Sequence, residues 1–229
     1  MSWEKEKDSF YSFIIENEII GFFKEPLKLK SGRLSYWYVN WRNISEDTFL
    51  LDKLADYLIS FVESIGLNPD CFYGVPEGAT KLGIITQYKW AKKQPNYTKG
   101  IYSLSMGRAK PKEHGDPKDK YYLGFPKGKT IVLEDTLTTG GSLIETIDQL
   151  LSFKVEIIAA IGLTDRNETR DDGKSVKEAI EEKNVKFYAM SNAFELLPKV
   201  YKKYKPDIEV AKKIEKYFKK YGIYEIKLT

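Results

Sequence analysis

The chain has 229 residues, 31% of them charged, and a formal net charge of +4. The length suits one α/β domain with additions or two small domains, and the mixed charge does not single out nucleic acid as a partner. With only one cysteine, Cys71, the chain can form no intramolecular disulfide, and no apolar run reaches the roughly 18 residues that a membrane span needs. The N-terminus, MSWEKEKDSF, lacks the order of a signal peptide, so we expect a cytoplasmic protein.

The N-terminal part of the chain predicts a helix and then a β-hairpin. Apolar residues recur at helical spacing across residues 3–24. Residues 27–41 alternate apolar and basic side chains around a Ser-Gly turn, which is typical of a hairpin. Ser45, followed by two acids, predicts the cap of a second helix that runs to about residue 65.

From residue 71 onward, short apolar runs alternate with helical patterns. We predict five strands, at 71–76, 100–105, 130–135, 155–165 and 185–191, separated mostly by helices. Continuous apolar strands of this kind favour a parallel sheet covered on both faces. Residues 192–229 predict two more helices and a short terminal strand. Their lysines suggest either a nucleic-acid patch or the solvated face of an amphipathic helix, and we favour the second interpretation.

One interval breaks this alternation. Residues 106–125 are rich in Lys, Gly and Pro and cannot bury a face. A polar connection of this length in a compact domain is usually a functional lid or a disordered insert. We therefore expect a mobile loop there.

The stretch TIVLEDTLTTGGSLIETI, at 130–147, places two acids and a small-residue loop between a strand and a helix. Backbone N–H groups and the positive end of the helix dipole at such a loop attract a phosphate. The residues that predict this phosphate site are Thr138, Thr139, Gly140, Gly141 and Ser142. Glu134 and Asp135 could hold Mg²⁺, accept hydrogen bonds from a sugar diol, or form an acidic strand end that only faces solvent. A ligand that carries a ribose diol and a phosphate on one ring would need both features side by side.

The segment VLEDTLTTGGS resembles the phosphoribosyl diphosphate (PRPP) signature of the type I phosphoribosyltransferases. The resemblance implies that fold: a central five-stranded parallel sheet flanked by helices in a core at 46–191, with a small hood at 1–45 on the base-binding side. It also implies that Glu134 and Asp135 bind the ribose hydroxyls while the Thr/Gly loop holds the 5-phosphate. Residues 192–229 match nothing in the family, and we expect a helical extension packed on the core.

The segment RAKPKEHG, at 108–115, resembles the mobile catalytic loop of the orotate phosphoribosyltransferases. Arg108, Lys112 and His114 fall on the matching positions, so the resemblance implies that they are catalytic. Ala109 stands where the family has a lysine, which leaves one diphosphate contact missing or supplied by Lys110. Cations that close over the leaving diphosphate and exclude water would suit this chemistry.

Two further segments, KSGRLSYWYVN at 30–40 and TDRNE at 164–168, resemble those around the base in the same family. The resemblance places Lys30, Tyr38 and Thr138 at the orotate site, with Lys30 also at PRPP. It places Arg166 opposite the base carboxylate. The alternative for Arg166 is an ion pair with an adjacent acid such as Glu168.

Several departures leave alternatives open. YGVPEGATKLG, at 73–83, matches the diphosphate loop, which implies that Glu77 and Gly78 bind PRPP, but Glu77 replaces a lysine of some bacterial members. Tyr36 replaces the usual proline, and Val39 stands where some members have an aromatic residue. A type I enzyme for another base, or a non-catalytic PRPP-binding regulator, therefore remains an alternative.

These resemblances imply an enzyme that transfers the phosphoribosyl group of PRPP to orotate, giving orotidine 5′-phosphate and diphosphate in pyrimidine biosynthesis. They imply Mg²⁺ as cofactor, bound mainly by PRPP and water without dedicated protein ligands. They also imply a homodimer whose mobile loop is shared across subunits. We expect no nucleic-acid or membrane partner.

Overall fold

The computed structural model describes residues 3–229 and has an α/β architecture. The first half comprises α1 Trp3–Glu16, β1 Ile20–Lys28, β2 Leu34–Val39, α2 Arg42–Glu46, α3 Thr48–Ser64, β3 Cys71–Gly74, α4 Thr80–Lys93 and β4 Met106–Gly107. The second half comprises α5 Pro117–Tyr121, β5 Tyr122–Leu123, β6 Thr130–Leu137, α6 Gly141–Ser152, β7 Ile157–Asp165, α7 Val176–Glu181, β8 Lys186–Asn192, α8 Ala193–Tyr204 and α9 Ile208–Tyr221. Within residues 3–229, no helix combines the length and apolar character that crossing a bilayer requires.

The central sheet is parallel, with strand order β3-β6-β7-β8. Both of its faces are covered, because Ile131 and Leu133 of β6 pack into one core cluster while Val132 packs into another. The ends of β6 and β7 lie side by side, with Leu137 opposite Asp165. The loops after these two strands therefore open at the same carboxyl edge, where parallel α/β sheets usually bind ligands.

In the part of the chain that the structure describes, this sheet has four strands and not the predicted five. The strand predicted at residues 100–105 is the one that does not form. Residues 100–105 run past β3 without a backbone ladder. A side chain holds them instead, since the amide of Gln87 donates to the carbonyl of Ser103 at 2.9 Å. Ile101 and Leu104 remain 49% and 55% exposed, so this short apolar run lacks the burial that stabilises a strand.

The N-terminal helix is shorter than predicted. α1 ends at Glu16, and Glu18 has a φ of 52°, in the left-handed region that commonly ends a helix. β1 follows and pairs antiparallel with β2, with Ile20 opposite Val39. The predicted hairpin is therefore confirmed, although its first strand begins within the segment that was predicted as helix.

The C-terminal helices share a core with the N-terminal region. One cluster joins Phe10 of α1, Leu54 of α3, Leu133 of β6 and Ile214 of α9. α9 buries one face and exposes most of its lysines, which confirms the predicted amphipathic helix. The prediction of a short terminal strand was wrong, because residues 223–229 contain no strand. The division into 1–45, 46–191 and 192–229 stays a prediction.

The interval 106–125 carries more structure than predicted. β4 and β5 form a short antiparallel ladder, and α5 immediately precedes β5. Tyr122 of β5 is buried and its ring contacts the rings of Tyr73 and Phe153. Because this ladder anchors the interval, its consistently exposed stretch is confined to residues 109–119. Mobility of the loop stays a prediction.

Candidate active site

The loop after β6 encloses a cavity of about 220 Å³, called here the phosphate cavity, lined by residues 138–142 with Lys30 and Glu134. Gly140 precedes α6 with a φ of 68°, and a Cβ there would lie 2.8 Å from a methyl carbon of Val176. Glycine is therefore required for this turn. The first N–H groups of α6 have no partner within the helix, so they and the helix dipole can bind a phosphate.

A second cavity of about 140 Å³, called here the base cavity, adjoins the first and shares Lys30 and Thr138 with it. Tyr38 of β2, Asp135 of β6 and Arg166, just after β7, also line it. All four residues that the sequence placed at the base, Lys30, Tyr38, Thr138 and Arg166, thus meet around one cavity. They come from three separate segments of the chain.

The two acids of β6 face opposite sides of the strand. Glu134 lines the phosphate cavity and Asp135 lines the base cavity. Burial of Glu134, with the negative charge of Asp135 beside it, holds the pKa of Glu134 well above its ordinary value. Lys30, whose Nζ donates to the hydroxyl of Ser142 at 2.7 Å, opposes this rise through its positive charge. Hydroxyl groups that donate to Glu134 would also favour its charged form.

The predicted diphosphate loop contacts the site through Gly78. A Cβ at Gly78 would lie 2.5 Å from a carboxylate oxygen of Asp135, so the loop backbone packs directly on this acid. Asp135 itself accepts a hydrogen bond from the backbone of Thr136 at 2.6 Å. Glu77 is exposed and lines neither cavity. The structure therefore brings Gly78 to the site and leaves the Glu77 side chain outside the two cavities.

Arg166 is only 1% exposed and is held from several directions. Its Nε donates to Glu168 at 2.7 Å, its Nη2 donates to Ser35 Oγ at 2.9 Å, and its guanidinium lies 3.8 Å from the ring centre of Trp37. The ion pair considered as the alternative role is thus present. It does not exclude base binding, because a guanidinium has five N–H donors and Arg166 also lines the base cavity.

Known proteins resemble the chain over most of its length, although no protein-family model matches it. The orotate phosphoribosyltransferase of Aquifex aeolicus is 28% identical over 188 residues, which cover 80% of this chain and 94% of the relative. That of Rhodopseudomonas palustris (strain TIE-1) is 30% identical over 154 residues, which cover 64% of this chain and 77% of the relative. The chain belongs to the orotate phosphoribosyltransferase family.

A solved orotate phosphoribosyltransferase, from Francisella tularensis, shares the fold. Its TM-score is 0.66 at 22% sequence identity, and the match covers 93% of this chain and 99% of that chain. The predicted type I phosphoribosyltransferase fold is thereby confirmed. A match that covers 93% of this chain leaves out too few residues to omit 192–229 entirely. The match therefore includes part of that segment, for which the sequence motifs supplied no counterpart.

The three cations of the predicted orotate phosphoribosyltransferase loop lie away from both cavities. Arg108 donates from Nε to the carbonyl of Asp119 at 3.1 Å, within the same interval. Lys112 and His114 are exposed. None of the three lines the phosphate cavity or the base cavity. Their predicted role at the diphosphate requires the loop to move, or to come from a second subunit.

Arg42 also lines the base cavity, and the sequence did not single it out. It begins α2, directly after the buried Trp41, and is exposed. In residues 3–229 the arginine ion pairs involve Arg33, Arg166 and Arg170, so the charge of Arg42 is not paired. An arginine directly after Trp41, close to the aromatic segment at the predicted base site, was the available signal.

Proposed function

We propose that this chain transfers the phosphoribosyl group of PRPP to orotate, forming orotidine 5′-phosphate and diphosphate in pyrimidine biosynthesis. The observation that carries the proposal is the pair of adjoining cavities, one beside a phosphate-type loop and the other beside Tyr38 and Arg166. This pair suits a ribose at the junction, with its 5-phosphate at residues 138–142. It also suits an anionic pyrimidine that stacks on an aromatic ring and meets a guanidinium.

The reaction forms a bond between C1 of the ribose and a ring nitrogen of orotate, while the bond from C1 to diphosphate breaks. The ring nitrogen loses its proton, which passes to the departing diphosphate or to water. The electron pair leaves with the diphosphate, and positive charge develops on the ribose. Glu134 and Asp135, on the strand between the two cavities, are suited to accept hydrogen bonds from the ribose hydroxyls and to stabilise that positive charge.

We assign stabilisation of the departing diphosphate to Arg108, Lys112 and His114. The leaving group carries several negative charges, which cations on a closing loop can neutralise in a site from which water is excluded. Exclusion of water also protects the activated sugar from hydrolysis. The exposed position of Lys112 and His114 fits residues that reach the substrate only on closure.

We further propose Mg²⁺ as the cofactor. Across residues 3–229, no group of three or more His, Cys, Asp or Glu side chains is arranged to hold an ion. Glu134 and Asp135, which line the two adjoining cavities, are carboxylates suited to lie near an ion that is bound mainly by PRPP oxygens and water. When bound, Mg²⁺ neutralises charge on the diphosphate.

We propose a homodimer in which the exposed loop of one subunit serves the partner's site. The separation of the loop cations from both cavities of their own subunit supports this arrangement. We also propose a cytoplasmic location, since the free, buried Cys71 is compatible with a reducing compartment.

The absorbance of orotate, followed with PRPP and Mg²⁺, tests the activity. We expect orotate to be consumed only when all three are present, and the assay is then repeated with uracil, adenine and guanine. An active preparation that consumes another base and leaves orotate intact would contradict the assignment. A folded preparation that binds PRPP but turns over no base would instead support a PRPP-binding regulator.

A further inference from the structure

A buried hydrogen-bond network connects the base cavity to the C-terminal helix α9. Its central group is Glu168, whose side chain is 0% exposed. One oxygen, Oε1, accepts from Arg166 at 2.7 Å. The other, Oε2, accepts from Arg33 Nη1 at 3.0 Å and from the Tyr217 hydroxyl at 2.8 Å. Both oxygens are therefore engaged, and the carboxylate cannot rotate without leaving a buried donor unpaired.

Tyr217 supplies the contribution of α9 to this network. The residue is 5% exposed, and it lies 49 positions from Glu168 in the sequence. Burial, together with the negative charge of Glu168, raises the pKa of the Tyr217 hydroxyl above its ordinary value of 10.0. The hydroxyl is consequently protonated at neutral pH and remains a donor.

Other contacts of α9 do not depend on that hydroxyl. The ring of Phe218 stacks on Trp37, with the ring centres 5.9 Å apart. The carbonyl of Tyr221 accepts from the backbone of Thr169, next to Glu168. None of these contacts uses the Tyr217 hydroxyl, so we expect them to remain in Tyr217→Phe, and this substitution tests the hydroxyl alone.

We propose that Tyr217 is a positioning residue for base binding, whose hydroxyl orients Glu168 so that Glu168 holds the guanidinium of Arg166 toward the base carboxylate. This inference rests on the proposed function, because it takes orotate as the base. Glu168, Ser35 Oγ and the Trp37 carbonyl occupy three of the five N–H donors of Arg166, the last at 3.4 Å. The two that remain are on the terminal nitrogens and are available to a carboxylate. Binding through them depends on the angle of the guanidinium plane, which Glu168 sets together with Ser35 and Trp37.

The decisive variant is Tyr217→Phe, compared with wild type by steady-state kinetics. We expect the KM for orotate to rise about fivefold, because Glu168 loses one of its three donors and then holds Arg166 less firmly. The turnover number and the KM for PRPP should stay within about twofold, because neither depends on the Arg166 angle.

The matched control is Tyr11→Phe. Tyr11 is also buried, and its hydroxyl donates to Glu195 at 2.7 Å, so this variant loses a comparable hydrogen bond elsewhere in the chain. We expect both variants to unfold at a temperature lower by a few degrees. Only Tyr217→Phe should change the KM for orotate. A purely structural role would lower both unfolding temperatures and leave both KM values unchanged, which would overturn the inference.

The variant Glu168→Gln tests the route through Glu168. We expect a larger rise in the KM for orotate, about tenfold, because the charge that holds Arg166 is lost. Adding Tyr217→Phe to this background should then have little further effect, since coupled residues are not additive. A full additional fivefold rise would show that Tyr217 acts by another route. If Glu168→Gln does not fold, the comparison of Tyr217→Phe with Tyr11→Phe still decides whether the Tyr217 hydroxyl affects the KM for orotate.

The wild type separates this inference from the proposed function. If wild-type protein consumes no orotate, the proposed function fails, and the inference fails with it. If wild-type protein consumes orotate but Tyr217→Phe has an unchanged KM, the inference alone fails.

Discussion

Arg42 and Arg166 present two guanidinium groups to the base cavity, in different surroundings. Arg166 is buried and shares its charge with Glu168, whereas Arg42 is exposed and has no ion pair in residues 3–229. We expect Arg42→Gln to raise the KM for orotate about fivefold through loss of attraction to the carboxylate. The unfolding temperature should not change, because an exposed side chain contributes little to stability. Kinetics at varied orotate concentration check this.

The control for Arg42→Gln is Lys99→Gln, which removes one positive charge from an exposed residue that lines neither cavity. It should leave the KM for orotate unchanged. Equal KM values in the two variants would assign the base carboxylate to Arg166 without help from Arg42.

Asp165 lies beside Arg166, and burial raises its pKa from an ordinary value of 3.8 to about 6. A hydrogen bond from the backbone of Asn167 opposes the rise, and the charge of Glu168 adds to it. Between pH 3.8 and about pH 6, the folded protein therefore binds a proton at Asp165 more readily than the unfolded chain does. The contribution of Asp165 to the free energy of unfolding is accordingly largest at low pH and falls as pH rises from about 4 to about 6.

The variant Asp165→Asn tests this pH dependence. The amide oxygen can still accept from Asn167, but it does not titrate. The free energy of unfolding of wild type, minus that of the variant, should decrease by about 2 kcal/mol between pH 4 and pH 7. Urea denaturation at one-unit intervals measures it. A constant difference would show that the pKa of Asp165 is close to its ordinary value.

At the scale of elements, the turn before α6 depends on one glycine. Gly140 has a positive φ, and an added Cβ would meet Val176, whereas Gly141 has an ordinary φ and open space around it. We expect Gly140→Ala to lower the free energy of unfolding by about 1–2 kcal/mol. The same change should weaken PRPP binding, because the turn precedes the N–H groups of α6 that we propose bind the 5-phosphate.

The neighbouring Gly141→Ala is the stability control. It should cause no loss in the free energy of unfolding, since the added methyl meets no neighbour. Urea denaturation and calorimetric titration with PRPP compare the two variants. If Gly140→Ala were as stable as wild type, the turn would tolerate a side chain and the proposed requirement for glycine would be wrong.

Elements were predictable from sequence where their determinants are local. β6, its acids and the loop before α6 occupy one continuous stretch, 130–147, and their periodicity and glycines are sufficient. The segment 100–105 has a similar apolar composition but no backbone partner beside β3, and a sequence does not show pairing between distant segments. The boundary between α1 and β1 was missed because the φ of Glu18, which ends the helix, has no glycine to mark it.

At the scale of the whole molecule, the proposed base site is assembled from distant parts of the chain. The hairpin supplies Tyr38, and the end of β7 supplies Arg166. α9 supplies Tyr217, whose hydroxyl donates to Glu168, the ion-pair partner of Arg166. The family motifs predicted the first two residues. Tyr217 and Arg42 were missed, because their relevance comes from packing between segments and not from a pattern within either segment.

The proposed homodimer with shared loops makes a prediction about mixtures of inactive subunits. Lys112→Ala should lower turnover far more than PRPP affinity if, as proposed, this cation acts on the leaving diphosphate. Asp135→Asn should impair the pocket of its own subunit. If each loop serves the partner's site, a hybrid dimer holds one pocket with both functional parts. Random exchange should then restore about a quarter of wild-type activity.

Size-exclusion chromatography with light scattering should first give a mass near twice the 26.5 kDa of one chain. The control mixes two loop variants, Arg108→Ala and Lys112→Ala, which should restore nothing, because every pocket then meets a damaged loop. If each loop instead served its own subunit, neither pocket of a hybrid between Lys112→Ala and Asp135→Asn would be complete. The activity of that mixture would then equal the average of its parents, and the exposed position of the loop would reflect an open lid within one subunit.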